Sequence, residues 1–150
     1  MTFRKAFIKG GEIIMITGLD HITVNMADRE ASFQFYEEVL GLEKLYDVDM
    51  GDHRLTYFNL NGCTRLELIE YYNDSPAHPE PSDDKGIYRH MALTTDEIGR
   101  LFDRCTAYGV KVLMEPVWVE TLNWTGMLVR DPNGVEIEIV QRESSAATDI

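Results

Sequence analysis

Two histidines and two glutamates recur at matched places in this chain: His21 in LDHITVNM and Glu67 in RLELIEYY, then His90 in IYRHMALTT and Glu138 in GVEIEIVQ. The offset within each pair is 67 − 21 = 46 and 138 − 90 = 48, and the copies are separated by 90 − 21 = 69 and 138 − 67 = 71 residues. One imidazole and one carboxylate from each half of a duplicated chain form a donor set suited to a divalent metal, the simplest reason to converge them. Glu136 competes with Glu138, because 90 + 46 = 136 and both share a strand face. Glu70 has the opposite parity to Glu67 and is expected to face away, and His53 and His78 are expected at the surface. Arg54, Arg65, Arg89 and Arg130 are cations within reach of such a site. Tyr57, Tyr71, Tyr88, Trp118 and Trp124 are the aromatic residues placed to line a substrate pocket.

The elements that must carry these residues follow from apolar periodicity. Leu19, His21, Thr23 and Asn25 alternate with Ile22 and Val24, so His21 lies on the more polar face of a strand. Asp28 is placed to cap a helix whose inner side carries Ser32, Phe35, Tyr36, Val39 and Leu40, with Gly41 as its stop. Strands near 43–49, 53–60 and 64–71 follow, the last two joined by the hairpin signal Asn61-Gly62. The order is βαβββ, and it repeats. A strand at 87–94 leads to Thr94-x-x-Glu97, which has the form of a capping box, and to a helix with Ile98, Leu101, Phe102 and Cys105 inward and Gly109 at its end. Strands near 110–118, 122–130 and 135–141 complete the second unit, with Asp131-Pro132-Asn133-Gly134 as the final turn. In every case the apolar strand face can take the helix while His21, Glu67, His90 and Glu138 look the other way.

The expected organisation is an extension over 1–16, a first module over 17–72, a linker over 73–86, a second module over 87–142 and a polar tail over 143–150. Met15 is expected to be the natural start, with a short edge strand as the alternative reading of the extension. At 150 residues the chain can bury one core, and no apolar run approaches the ~20 residues of a membrane span. The formal charge of −12 argues against a nucleic-acid partner, which requires a basic footprint. Two cysteines, Cys63 and Cys105, are expected as core filler, and with no secretory leader they suggest a reducing cytoplasm.

LDHITVNMADREASFQFYEEVLGLE, RLELIE, RHMAL and DPNGVEIEIV together make residues 17–142 similar to the vicinal oxygen chelate superfamily, which holds glyoxalase I, methylmalonyl-CoA epimerase, extradiol dioxygenases and bleomycin and fosfomycin resistance proteins. The resemblance implies an α+β fold in which two βαβββ modules form an open-cup mixed sheet around a metal. It implies His21, Glu67, His90 and Glu138 as ligands, since Glu138 stands four residues after the turn glycine Gly134. One divalent ion per site is expected, nickel or zinc first, then cobalt, manganese or ferrous iron. A small-molecule substrate with adjacent oxygens and a homodimer are implied as partners. The implied reaction is of the lyase or isomerase type, an enediolate formed by proton removal beside a carbonyl, with Glu138 as base and Glu67 as second candidate. Asn25 and Tyr71 occupy the places where glyoxalase I has the arginine and asparagine that serve glutathione, which argues against a glutathione adduct. Arg130-Asp131-Pro132 replaces the His-Pro-Lys stretch of the epimerases, which argues against a coenzyme A thioester. Asn25, Tyr57, Arg65, Tyr71, Trp118 and Trp124 form the expected substrate pocket. Two other activities fit the resemblance: a ferrous ring-cleaving dioxygenase, and a drug-binding resistance protein with no chemistry. Whether the four ligands come from one chain or two is open at this level.

Overall fold

The computed structural model describes residues 19–73 and 89–143, with the backbone of Ile8–Lys9 and Glu12–Ile13. Met15, His78, Tyr88, most of the expected linker and the tail beyond Glu143 lie outside the described residues. The elements are β1 (Ile8–Lys9), β2 (Glu12–Ile13), β3 (His21–Asn25), α1 (Arg29–Phe33, running on as a π-helical stretch Gln34–Val39), β4 (Glu43–Asp49), β5 (His53–Asn61), β6 (Thr64–Tyr71), β7 (Met91–Thr94), α2 (Ile98–Ala107), β8 (Lys111–Val119), β9 (Trp124–Arg130) and β10 (Glu136–Arg142). β1 and β2 pair with each other, apart from the main sheets. Those two sheets share one plan: β3-β6-β5-β4 and β7-β10-β9-β8, with β3 parallel to β6 and β7 parallel to β10. The expected pair of βαβββ modules in an α+β fold is therefore present.

Each sheet has one face in the core. Val24, Phe58, Leu66 and Leu68 of the first sheet and Met91, Met127, Val129, Ile137 and Ile139 of the second are buried in one continuous cluster with Phe35, Tyr36, Val39 and Cys105 of the helices. The π-helical turns, marked by Leu40 N–H donating to the Phe35 carbonyl at 2.9 Å, bring Phe35, Tyr36 and Val39 inward together. That widening was not expected from the periodicity. Cys63 is exposed, not core filler as expected, because it sits in the β5–β6 turn.

Caps follow the sequence at α1 and depart from it at α2. Asp28 accepts from Ala31 N–H at 2.8 Å, so Asp28→Ala should cost about 1 kcal/mol in urea unfolding. The capping box at Thr94 is not formed. Thr95 Oγ1 accepts from Glu97 N–H at 3.1 Å, and Gln141 of β10 accepts from Ile98 N–H at 2.7 Å, a long-range cap that local sequence does not reveal.

The modules are locked through the last turn. The buried Asp131 carboxylate accepts from Tyr36 Oη across the module boundary at 2.7 Å, and Asn133 Oδ1 accepts from Ala27 N–H at 2.7 Å and Ser32 Oγ at 3.1 Å. Gly134, at φ +88°, closes this turn in a conformation that side chains disfavour. Among the described residues no helix is long and apolar enough to cross a membrane.

Candidate functional site

The strand registers put the two modules in phase. His21 pairs with Arg65 and Thr23 with Glu67 across β3 and β6, while Ala92 pairs with Glu138 and Met91 with Ile137 across β7 and β10. Glu67 and Glu138 therefore occupy one position, and His21 and His90 stand two residues before their partners Thr23 and Ala92. All four lie on the face away from the core, because Leu66, Leu68, Ile137 and Ile139 take the inner face. The alternation that buries one set of side chains necessarily aims the other set into the cup.

In the first module His21 Nδ1 lies 2.7 Å from Asp20 Oδ1, which also accepts from Arg65 Nη2 at 2.8 Å. These hydrogen bonds, from His21 first and then Arg65, hold the Asp20 carboxyl below the usual carboxylate range. With Nδ1 engaged, any ligand bond from His21 falls to Nε2. Glu67 is 7% exposed and accepts from Thr23 Oγ1 at 3.1 Å. The Tyr57 hydroxyl is also bonded to Glu67, and that bond, with burial, pushes its pKa up to about 12, so Tyr57 is a neutral donor. Arg65 donates to Tyr46 Oη at 2.6 Å and lies over the Tyr57 ring, 5.1 Å from its centre.

The second half-site is barer. His90 Nε2 is 3.2 Å from Glu138 Oε2, and His90 Nδ1 is buried without a hydrogen-bond partner. Ala92 and Leu128 stand where Thr23 and Tyr57 stand in the first module, so no hydroxyl from those positions reaches Glu138. Glu136 differs from Glu138 in its neighbours: it is buried and ion-paired with Arg89 and with Arg130, at 3.1 Å for the latter. Arg89–Glu136 and Asp20–Arg65 are the same cross-strand pair with the charges exchanged, since 20 + 69 = 89 and 65 + 71 = 136. Sequence reasoning missed Asp20 and Thr23, although the same offsets could have found them.

Imidazole nitrogen and carboxylate oxygen are donors fit for a divalent ion, and His90 with Glu138 already converge. Among the described residues, however, no group of three or more His, Cys, Asp and Glu side chains is close enough to hold one. Among the described residues the four side chains therefore do not gather into one group. His21, Thr23 and Asn25 also line a cleft of about 490 Å3 between the modules, with Arg89, Met91 and Glu136 on its other side.

Of the expected pocket residues, Asn25, Tyr57, Arg65 and Tyr71 share the cup face of the first sheet. Tyr71 stacks with the half-buried His53, 5.3 Å between ring centres, so His53 is not the plain surface residue expected. At the equivalent place in the second module, 53 + 71 = 124 and 71 + 71 = 142, the Arg142 guanidinium lies 4.6 Å from the Trp124 ring centre. Trp118 departs from expectation: it pairs with Thr125, on the face opposite Trp124, and donates to Glu120 at 2.7 Å. Glu70 faces away from Glu67 and receives Arg29 Nη1 at 2.7 Å.

Comparison with known proteins agrees with the fold. The family model described as glyoxalase/bleomycin resistance protein/dioxygenase superfamily matches residues 18–139. A Bacillus subtilis protein, YwbC, is 29% identical over 140 residues, covering 85% of this chain and all of that one. A lactoylglutathione lyase of Neisseria meningitidis is 27% identical over 129 residues, covering 83% of this chain and 90% of its own. Among solved structures, a glyoxalase I mutant from Zea mays matches with a TM-score of 0.72 at 19% identity, over 83% of this chain and 44% of that one. The fosfomycin resistance protein FosX of Listeria monocytogenes matches with a TM-score of 0.66 at 20% identity, over 87% of this chain and 97% of that one. With a duplicated βαβββ fold, in-phase histidines and glutamates, and a family match over most of its length, this chain belongs to the glyoxalase/bleomycin resistance protein/dioxygenase superfamily.

Proposed function

We propose that this chain is a divalent-metal lyase or isomerase of the glyoxalase I type, acting on a small metabolite with adjacent oxygens. The observation that carries the reading is the common register of the two half-sites, each with one histidine and one glutamate on the cup face. A divalent ion held by His21, Glu67, His90 and Glu138 supplies stabilisation of negative charge on the substrate oxygens. Glu138 takes the proton from the carbon beside the carbonyl and returns it to the neighbouring carbon. Glu67, tied by Thr23 and Tyr57, stays in place. Metal analysis of protein grown with nickel and with zinc tests this reading: one ion per four-ligand set is expected, and metal-free protein of full activity would refute it.

The half-sites are completed by a second copy, so that His21 and Glu67 of one chain meet His90 and Glu138 of its partner. Support comes from their separation within one chain and from Leu45, Tyr46 and Val48 of β4 and Leu113, Met114 and Val117 of β8, exposed along the edge strands. A His21→Ala/Glu67→Gln chain and a His90→Ala/Glu138→Gln chain should each be inactive alone. Mixed and re-annealed, they should regain about a quarter of wild-type activity, because half of the random dimers carry one intact site. Complete absence of rescue would place the site within one chain. Tyr57→Phe combined with Thr23→Val should weaken metal binding by about tenfold, read by competition with a chromogenic chelator.

A sequestering protein is the second reading, favoured by the Tyr46 and Tyr57 rings on the cup face, 4.9 Å between centres. It predicts no stoichiometric metal. A ring-cleaving dioxygenase needs one carboxylate ligand, and the second, Glu67, argues against it.

A further inference from the structure

We infer that Arg65 is the positioning residue of the first half-site, holding His21 through Asp20 and Glu67 through Tyr57 so that both stand ready before a metal arrives. The inference rests on the metal-cup reading above and concerns how one half of that site is built. Arg65 lies on the cup face of β6, two residues before Glu67, and its register partner on β3 is His21. It thus stands between two proposed ligands while being neither. Its guanidinium works in three directions at once. Nη2 donates to Asp20 Oδ1 at 2.8 Å, Nη1 donates to Tyr46 Oη at 2.6 Å, and Cζ lies over the Tyr57 ring, 5.1 Å from its centre. A planar fork with a flat face can make all three contacts, and a lysine ammonium cannot.

These contacts end on the supports of the ligands. Asp20 Oδ1 also takes His21 Nδ1, at 2.7 Å, and because an ionised carboxylate only accepts, the imidazole proton sits on Nδ1 and the Nε2 lone pair is left for a metal. Asp20 is largely exposed, so without an anchor its side chain would leave the imidazole for water. On the other side Tyr57 donates to Glu67, and Tyr46, the register partner of Tyr57 on β4, packs against its ring at 4.9 Å between centres. The second module shows the same place without this device. Glu136 stands where Arg65 stands, since 65 + 71 = 136, and Arg89 stands where Asp20 stands, since 20 + 69 = 89. An arginine cannot accept a hydrogen bond, and His90 Nδ1 is buried with no partner among the described residues. His90 Nε2 instead faces Glu138 Oε2 at 3.2 Å, which puts its proton on the nitrogen that a metal would need. The two histidines therefore carry opposite tautomers, one preset for ligation and one that must rearrange.

Two-bond 1H–15N spectra of the metal-free protein, with signals assigned through His21→Gln and His90→Gln, read the tautomers directly. His21 should show a single form protonated at Nδ1, and His90 a single form protonated at Nε2. Arg65→Gln changes a half-buried residue outside the core and should fold. It should turn His21 into a mixture of tautomers and leave His90 as it was. Zinc affinity, read by competition with a chromogenic chelator, should fall about 10- to 100-fold in Arg65→Gln, with little recovery in Arg65→Lys. Asp20→Ala should cost about tenfold in the wild-type background and less than about twofold on top of Arg65→Gln, because both changes remove one support. An unchanged His21 tautomer in Arg65→Gln, or additive losses in the double variant, would overturn the inference. So would wild-type zinc affinity in Arg65→Lys, which would reduce the fork to a charge. Wild-type protein that takes up no zinc would sink the metal-cup reading, and the inference would then stand or fall on the His21 tautomer alone.

Discussion

Glu138→Gln should slow proton abstraction beside a substrate carbonyl by about 10²- to 10⁴-fold, while Glu67→Gln should act mainly by weakening the metal. The two carboxylates occupy equivalent positions in equivalent strands, so the difference must come from what surrounds them. Glu67 accepts from Thr23 Oγ1 at 3.1 Å and from Tyr57, and both donors restrain it. Glu138 faces Ala92 and Leu128 across its strand neighbours, and its polar contact is His90 at 3.2 Å. A carboxylate with one polar contact among the described residues can swing toward a substrate, and one clamped by two hydroxyls cannot do so without breaking both. The measurement is deuterium wash-in from solvent at the carbon beside the carbonyl of a panel of α-hydroxyketones and hemithioacetals, followed by NMR with metal content recorded for each variant. Wild-type exchange in Glu138→Gln at full metal loading would remove Glu138 from its role.

Asp131→Ala should destabilise the fold by about 3 kcal/mol or more, on the order of 10 °C in Tm. Asp131 is 4% exposed, and its carboxylate accepts from Tyr36 Oη at 2.7 Å, Asn133 Nδ2 at 2.9 Å, Asn133 N–H at 2.9 Å and Val135 N–H at 2.7 Å. Removing it takes an acceptor from the hydroxyl of a fully buried tyrosine in one module and unties the turn of the other. Tyr36→Phe should cost only about 1 kcal/mol, because the carboxylate keeps its other three donors. Urea unfolding of the two variants separates the lock between modules from the turn itself. If they are equally mild, the lock contributes little.

Much of the arrangement was legible before any coordinates. The offsets of 69 and 71 residues between copies recur in the registers of the two parallel strand pairs. Strand parity correctly sent Leu66, Leu68, Ile137 and Ile139 inward and turned Glu67 and Glu138 outward. Trp118 is placed by its nearness to the expected pocket and not by parity, and β8, with register shifts between Val112 and Met114 and between Met114 and Val117, is a strand where counting by twos is unreliable. The caps show the same division: Asp28 binds three residues ahead, within reach of local reading, whereas the donor of Ile98 finds Gln141 from another strand.

Sequence by itself determined the duplication, the α+β modules and which strand face each histidine and glutamate takes, because a period of two leaves side chains only two faces. Tertiary structure alone decided that Glu136 is spent on Arg89 and Arg130 while Glu138 meets His90, since the two glutamates share a face and differ only in neighbours brought by other strands. It also decided that, among the described residues, His21 and Glu67 do not form one group with His90 and Glu138, because the distance between modules depends on how their cores dock and not on the pattern within either.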